Sequence, residues 1–427
     1  MDRDLTDKLT DIVGAAHVTR ASRDLADAGE RDRGRAWLVR PGSAAEVAHL
    51  VRLAGAERAS IVPVGTASRR RPVAKVVDAR PRIVCDLKRL SHVVYLDETS
   101  LVAQVQAGIT GVALEELLHP RGLTLGDFPP PVLRSTLGGM LSVRTPGKSS
   151  PRHGILEDAV LGVSVVLADG RAIHTRVAPR RATGPDLARA FLGSEGALGI
   201  LTGVVLRIHR RPEVRFLVAH RIPSVAAAAA AVVDALRRDA RPAATRIYDA
   251  AEAAVHLGVD GLGPDEAILV AATHGAPELA LTDRELLDDA AAARGGTSLG
   301  PSLAEIWWKR RHGHTVPGKV PPPPALEAWA VPSRLAAVRA AAVAAAAGAG
   351  RRARTHMSRL DLDGGCVFVT LLAADANGAP DPAGPARAPV EAAIVAAGGH
   401  LVGSRDDTLE PYLTALKQTL DPAGIFA

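Results

Sequence analysis

The alternation of short β-branched runs with amphipathic stretches is the feature of this sequence that most restricts its fold. A strand pattern at Ser60–Val64 follows a helical pattern at Ala44–Ala56, for which Ser43 is the expected N-cap. The same two patterns return in the order strand then helix at 214–219 and 225–238. Compact strands between stretches with helical spacing are typical of domains in which helices pack on a sheet. We therefore predict an α+β fold.

The character of the chain changes after Arg210, Arg211 and Pro212, which we take as the main domain boundary. A chain of 427 residues has room for two domains or three. The predicted segments are a polar, helical lead-in at 1–34, a first α+β domain at 35–211 and a second α+β domain at 212–400.

Composition argues against several classes of protein. The net charge is +6, but the arginines are spread along the chain and aromatic residues make up only 3%, which disfavours nucleic-acid binding. No apolar run reaches the roughly 20 residues of a membrane span, and the N-terminus lacks the apolar core of a secretory signal. The 2 cysteines cannot build a disulfide framework. We expect a cytoplasmic, metal-free protein with no nucleic-acid partner and no membrane span.

Three glycine-bearing segments form the candidate binding site. They lie at 63–68, 135–140 and 193–202, each between predicted strands and helices. Glycines let a backbone approach a phosphate or a flat ring closely, with N–H groups as donors. None of the segments fits the Rossmann or the P-loop pattern. Taken alone, the first segment is as typical of a surface turn as of a phosphate site.

In this order and spacing the segments resemble the FAD-linked oxidase family, whose fold is shared by vanillyl-alcohol oxidase. GSEGALGILT, which begins at Gly193, is similar to the family's GSEGTLGIIT, and STLGGMLSVRTPG, from Ser135, to its STIGG…ASG segment. HGILEDAVLGVSVVLADGR, from His153, resembles YGNIEDLVLGxxVVxxDG. A further similarity, to PRxSTGPD at 179–186, points to the alkylglycerone-phosphate synthase subgroup. The resemblance covers about residues 35–427.

The resemblance implies a two-lobed FAD-binding domain followed by an α+β cap domain, with residues 401–427 returning to the first. The flavin would lie between the lobes with its reactive face toward the cap. Backbone N–H and hydroxyl groups of the first two segments would hold the diphosphate, and the third would run beside the cofactor. The cofactor-binding residues implied in this way are Pro63, Val64, Gly65, Thr66, Ala67, Ser68, Arg69, Arg134, Ser135, Thr136, Gly138, Gly139, Arg144, Glu195, Gly196, Leu198, Gly199 and Ile200.

The sequence departs from the family pattern at several places, of which two bear most on function. Thr66 and Ala67 follow Gly65 where the family has three glycines, and Phe368 and Thr370 stand where the synthase subgroup has a catalytic tyrosine. Two functions therefore stay open. One is an FAD-dependent oxidoreductase acting on a small hydroxy acid, alcohol or related substrate. The other is a non-redox cyclase, lyase or transferase with weak or absent flavin. A binding module without catalysis is the third interpretation.

Histidines and arginines of the second domain are the candidates for catalysis. Histidine is the general base best suited to neutral pH, and arginine suits an anionic ligand. Each histidine is also typical of a surface or packing role. The expected partner is a small molecule, with an anionic substrate and a homodimer as open alternatives. The candidate catalytic residues are Arg311, which resembles a substrate-phosphate arginine of the synthases, His312, His314, His356 and Arg405.

Overall fold

The computed structural model describes residues 2–20, 36–66, 80–126, 133–144, 150–175, 177, 186–310, 326–373, 384, 386–403 and 409–426. The chain divides into two compact units. Unit 1 contains residues 1–147, 155–210 and 406–427, and unit 2 contains residues 148–154 and 211–405. Helices and strands are mixed in both units, so the predicted α+β fold class is confirmed.

The first sheet of unit 1 has four strands, in the order β1-β2-β4-β3. Its central strands are parallel, and helices α1 and α2 pack against it around Trp37, Leu50 and Ile83. Ser43 caps α2 as predicted, since its hydroxyl accepts a hydrogen bond from the Glu46 N–H at 3.1 Å. The elements are α1 (Asp2–Val13), β1 (Val18–Arg20), β2 (Ala36–Val39), α2 (Ala44–Ala56), β3 (Ser60–Val64) and β4 (Arg82–Asp86).

The second sheet of unit 1 is antiparallel and has five strands, in the order β5-β6-β10-β8-β9. A two-stranded ribbon, β7 with β11, lies beside it. The elements are β5 (Val93–Asp97), β6 (Val102–Gln106), α3 (Gly111–Leu118), β7 (Leu123–Thr124), α4 (Leu137–Ser142), β8 (Val160–Val166), β9 (Ala172–His174), α6 (Leu187–Phe191), β10 (Ile200–Arg207), β11 (His209–Arg210) and α13 (Glu410–Leu420); α5 (Ser150–His153) belongs to unit 2.

Unit 2 is built on an eight-stranded sheet in the order β15-β12-β14-β13-β17-β18-β16-β19. The elements are β12 (Val214–Ile222), α7 (Val225–Arg237), β13 (Ala244–Asp249), α8 (Ala250–Leu257), β14 (Ala267–Gly275), α9 (Pro277–Ala293), β15 (Thr297–Ser298), α10 (Pro301–Arg310), β16 (Leu326–Ala330), α11 (Pro332–Gly348), β17 (Arg352–Ser358), β18 (Gly365–Leu372), α12 (Arg387–Ala396) and β19 (His400–Leu401).

The two faces of the unit 2 sheet are covered by different helices. Helices α7, α9, α11 and α12 bury one face in a large apolar core that includes Ile247 and Met357. Helices α8 and α10 contribute to a smaller core on the other face, which includes Tyr248 and Trp307. Side chains alternate along a strand, so Tyr248 points away from Ile247, and His356, which pairs with Tyr248, points away from Met357. The less covered face therefore carries polar side chains.

The predicted N-terminal lead-in is partly wrong. Helix α1 occupies its first part, but residues 18–20 form strand β1, which pairs with β2 at the edge of the first sheet. Pairing with an existing strand outweighs the polar local composition of this segment. The remaining residues of the lead-in, 21–35, lie outside the described residues. Within the parts of the chain that the structure describes, no helix combines the length and apolarity needed to span a membrane.

The C-terminal segment is bound to the first sheet of unit 1 by hydrogen bonds and an ion pair. Asp421 is 2% exposed and accepts hydrogen bonds from the backbone N–H groups of Ile425 and Phe426, at 2.8 and 2.9 Å. Lys417 donates to the Asp421 carboxylate at 2.6 Å and to the carbonyl of Ala197 at 2.8 Å. The Ile61 N–H of β3 donates to the Ile425 carbonyl at 2.8 Å. The C-terminal segment thus joins β3 to the third glycine segment.

We expect Asp421→Ala to lower the free energy of unfolding by about 3 kcal/mol, because it leaves two buried N–H groups without an acceptor and removes the negative charge beside Lys417. Urea unfolding followed by circular dichroism measures this change. Glu98→Ala is the control, since the ion pair of Glu98 with Arg121 is 57% and 46% exposed and should contribute less than about 0.5 kcal/mol. Equal effects of the two variants would contradict the proposed role of Asp421.

Candidate functional site

The three glycine segments predicted from the sequence meet in unit 1. A Cβ atom at Gly65, directly after β3, would overlap the hydroxyl of Thr136 at the start of α4. A Cβ atom at Gly196 would lie 2.5 Å from Cγ of Pro63. Both positions therefore require glycine, because the loop after β3 packs against both other segments. Val64, the last residue of β3, and Thr66 of the loop are half-buried, whereas Ala67, Ser68 and Arg69 lie outside the described residues.

The second segment has both buried residues and residues that are accessible to a ligand. Thr136 is 2% exposed and caps α4, since its hydroxyl accepts a hydrogen bond from the Gly139 N–H at 3.2 Å. Gly138 is buried and donates its N–H to the Ala107 carbonyl at 2.7 Å. Gly139 and Arg134 are exposed, and Ser135 is half-buried. The accessible part of the segment thus consists of residues 134, 135 and 139.

The third segment is held against the end of α4 in a strained conformation. The N–H groups of Gly193 and Glu195 each donate at 3.0 Å, to the carbonyls of Leu141 and Ser142. Glu195 and Arg144 have φ angles of 52° and 46°, in the left-handed region that favours glycine. Strain of this kind costs on the order of 1 kcal/mol per residue and is concentrated at functional sites.

Two predicted residues of the third segment serve the hydrophobic cores. Leu198 and Ile200 are 8% and 0% exposed and pack in the two different cores of unit 1. A Cβ atom at Gly199, between them, would lie 2.6 Å from Cγ1 of Val165. These side chains point into protein, so residues 198–200 can offer only backbone atoms to a ligand. Arg144 forms an ion pair with Glu157 at 3.1 Å between Nε and Oε2.

The residues present in unit 1 fit a dinucleotide. The three segments bring backbone together where Gly65, Gly139 and Gly196 carry no side chain, and Gly139 is exposed with only the Thr136 hydroxyl near its missing Cβ atom. A diphosphate needs several N–H donors without bulky side chains between them. We call these three segments the cradle. Its open part is the edge at Gly139, which matches that requirement, because Thr136 and Pro63 occupy the space beside Gly65 and Gly196.

A cluster of polar side chains lies on the less covered face of the unit 2 sheet, around Glu252 of α8. Its carboxylate is 2% exposed. Its Oε1 atom lies 2.9 Å from Nδ1 of His356 and 3.1 Å from Nε2 of His256. Its Oε2 atom lies 2.8 Å from Nε of Arg354. Three groups that can be cationic therefore surround one buried carboxylate, as a buried charge requires.

These contacts fix the protonation states at neutral pH. Burial by itself would raise the pKa of Glu252, but the hydrogen bonds from His256 and His356 outweigh it and hold this pKa well below its usual range. Burial lowers the pKa of His356 from 6.5 to about 4, against the opposing effect of its hydrogen bond to Glu252. An ionised carboxylate only accepts, so Nδ1 of neutral His356 carries the proton. Its Nε2 atom therefore bears a free lone pair.

Aromatic rings surround this histidine. The ring of Phe368, paired with His356 across β17 and β18, stacks on it with centroids 4.5 Å apart. The Tyr248 ring lies 5.8 Å away, and its hydroxyl accepts a hydrogen bond from Nη1 of Arg246 at 3.5 Å. Burial raises the pKa of Tyr248, so its phenol stays protonated. The cluster thus combines a neutral base, a phenol and arginines, which suits proton transfer on an anionic molecule.

The structure places one of the five predicted catalytic residues in this cluster. His356 lies at its centre, whereas Arg311, His312, His314 and Arg405 lie outside the described residues. The sequence analysis missed Glu252, its essential partner. The available signal was the pair Glu252 and His256, four residues apart on a short helix and therefore on the same helix face.

Proteins of known sequence and structure resemble this chain. The alkyldihydroxyacetonephosphate synthase of Dictyostelium discoideum is 32% identical over 216 residues, 50% of this chain and 35% of the synthase. Glycolate oxidase subunit GlcD of Bacillus subtilis is 28% identical over 214 residues, 50% of this chain and 45% of the subunit. A solved alkyldihydroxyacetonephosphate synthase shares the fold, with a TM-score of 0.73 at 23% identity over 91% of this chain and 75% of that chain.

The matches span less than half the length of each of these two curated relatives. Family descriptions cover more of it. Residues 36–176 match the FAD binding domain family, and residues 211–427 match the C-terminal domain of FAD linked oxidases. These matches confirm the resemblance seen in the sequence and the expected cofactor, FAD. Since the C-terminal match alone takes in half of the chain, the protein belongs to the FAD-linked oxidase family.

Proposed function

We propose that this protein is an FAD-dependent oxidoreductase that oxidises a small hydroxy acid, alcohol or related substrate. The observation that carries the proposal is the neutral His356, whose Nδ1 proton is held by the buried Glu252 carboxylate at 2.9 Å and whose Nε2 atom is free to accept a proton. Oxidation of an alcohol needs such a base. The similarity to a glycolate oxidase subunit supports a hydroxy acid as the substrate class.

Unit 1 would hold the cofactor through the glycine cradle. The diphosphate would bind to the exposed backbone of Gly139, the half-buried Ser135 and the loop at Gly65 and Thr66. Bound FAD supplies an acceptor for two electrons, which no side chain of the chain can provide. The role of the protein residues is to bind the cofactor, orient the substrate and move its proton.

Unit 2 would supply the acid–base chemistry. When a CH–OH group becomes a carbonyl, the O–H hydrogen must leave as a proton, and the C–H hydrogen must leave with both electrons of its bond. We assign the acceptance of that proton to Nε2 of His356. The Glu252 carboxylate then stabilises the imidazolium that forms, as the carboxylate of a catalytic triad does. Arg246 and Arg354 face the same cluster and would bind the carboxylate of a hydroxy acid.

A non-redox reaction is the second candidate function. It is favoured by Phe368, which brings no phenol to the strand where the synthase subgroup has its tyrosine, and by the side chain of Thr66 in the first loop. Under this alternative the His356 base acts on a substrate without electron transfer. The purified protein would then turn over its substrate with no change in flavin absorption and no need for an electron acceptor.

We expect the purified protein to contain FAD and Gly139→Leu to weaken FAD binding at least about tenfold, a loss of about 1.4 kcal/mol. A leucine side chain there would fill the open cradle. The ratio of FAD to protein is measured from the visible absorption spectrum and by titration of the apoprotein. Gly348→Leu is the control, since no atom lies within 4 Å of its Cβ position at the end of α11. Unchanged binding in Gly139→Leu would contradict the assignment of the cradle.

We expect His356→Gln to lower kcat/KM by about 10²- to 10⁴-fold, as the loss of a general base does. In the wild type, kcat/KM should rise with pH as His356 deprotonates, with an apparent pKa near 4, and stay level at neutral pH. A dye-linked assay with a panel of small hydroxy acids and alcohols measures both. The exposed His400 of β19 provides the control variant, His400→Gln. Full activity of His356→Gln would refute the proposed base.

A further inference from the structure

Asp249 stands at the junction of β13 and α8, where its carboxylate contacts the backbone of Glu252 and Thr355, the residue before His356. Its Oδ1 atom accepts a hydrogen bond from the backbone N–H of Glu252 itself at 2.9 Å. This bond caps α8, so it fixes the first turn of the helix and with it the backbone position of Glu252. The contact is local, between residues three apart.

The other oxygen of the same carboxylate reaches a strand more than a hundred residues away. Asp249 Oδ2 accepts hydrogen bonds from the backbone N–H and the hydroxyl of Thr355, at 2.6 and 2.7 Å. Thr355 directly precedes His356 on β17. Arg339 of α11 donates to the Thr355 hydroxyl at 2.7 Å and lies 3.5 Å from Asp249 Oδ2. The strand that carries His356 is therefore held at the residue beside it.

We infer that Asp249 is a positioning residue, which sets the length and angle of the hydrogen bond that the Nδ1–H group of His356 donates to Glu252. One carboxylate binds the backbone of Glu252 and the neighbour of His356 at the same time, so it acts as a rigid bridge between α8 and β17. The catalytic consequence of this inference rests on the proposed function, whereas the structural consequence for the ring of His356 does not.

A helix cap alone does not require this arrangement. Helix α7 of the same unit is capped by Ser224, whose hydroxyl accepts from the Ala227 N–H at 3.0 Å. Asp249 is only 6% exposed, and burial of a carboxylate is costly unless several donors surround it. Here the further donors, the Thr355 N–H and hydroxyl, come from the strand of His356. The charge therefore serves the bridge as well as the cap.

The variant that separates the two roles is Asp249→Ser. Serine is a good N-cap, so it keeps the bond to the Glu252 N–H, but its shorter side chain lacks the second oxygen that reaches Thr355. Ser224→Ala is the matched control, because it removes a cap from the same unit without touching the bridge. Both variants are studied in the full-length protein loaded with FAD.

Two readouts are needed. The first is the ring ¹⁵N chemical shifts of His356 in histidine-labelled protein, assigned by comparison with His356→Gln and followed with pH. They report which nitrogen carries the proton. The groups that face this ring and affect its titration are Glu252 and His256 of α8, Arg354 of β17, and Arg246 and Tyr248 of β13. The second readout is kcat and KM for the most active hydroxy acid.

We expect wild-type His356 to show a single tautomer with the proton on Nδ1, and Asp249→Ser to show a mixture of tautomers. We also expect Asp249→Ser to lower kcat about 10- to 100-fold, as displacement of a base by about 1 Å does, with KM little changed. Ser224→Ala should lower the thermal midpoint and leave both readouts as in the wild type.

Wild-type ring signals in Asp249→Ser would overturn the inference, even if activity fell. If Asp249→Ser does not fold, Asp249→Asn decides, since its amide has a single acceptor oxygen and must lose one side of the bridge. A mixture of tautomers in Asp249→Asn supports the bridge, and a single one refutes it. If the ring signals change but His356→Gln is fully active, the positioning role stands and the proposed function fails.

Discussion

Close contact between glycine backbones is the constraint on which unit 1 depends. Gly65, after β3, packs against Thr136, and Pro63 of β3 packs against Gly196, at distances that leave no room for a Cβ atom on either glycine. The same contacts join the parallel sheet to the antiparallel one, because β3 belongs to the first and the third segment leads into β10 of the second. A surface assembled from backbone offers N–H donors, so the contact that builds the fold also builds the surface that we propose as the cofactor site.

In unit 2 the corresponding constraint is a charge. Glu252 is 2% exposed, and its ionised state is maintained by His256, His356 and Arg354 together. Removal of one of these partners would leave a buried carboxylate less compensated, which is costly. The position of His356 is thereby fixed by electrostatics as well as by the pairing of β17 with β13 and β18. A base held in one tautomer needs both restraints, since strand pairing alone leaves the ring free to rotate.

The sequence predicted unit 1 better than unit 2, for a physical reason. Glycine-bearing segments can be recognised from the sequence, because a glycine indicates a position where the backbone leaves no space for a side chain. The segments 63–66, 135–139 and 193–196 do lie together in the structure. Helix α2 and strand β3 were also predicted with their observed bounds. The polar cluster of unit 2 joins residues about a hundred positions apart, and their encounter depends on the strand order β13-β17-β18, which no local pattern contains. The sequence analysis named His356 as a candidate for its residue type, but it did not single out its partner Glu252.

One departure from the family pattern, Phe368, can be explained by its contact with His356. Phe368 stands on the strand where the synthase subgroup has its tyrosine, and its ring stacks on His356 at 4.5 Å. An apolar ring in that place withholds water from the imidazole, and burial is the main cause of the low pKa of His356. A phenol at the same position would offer a competing hydrogen bond to the ring. A phenylalanine at position 368 is therefore consistent with the proposed use of a neutral histidine as the base, with Tyr248 as a phenol of the cluster.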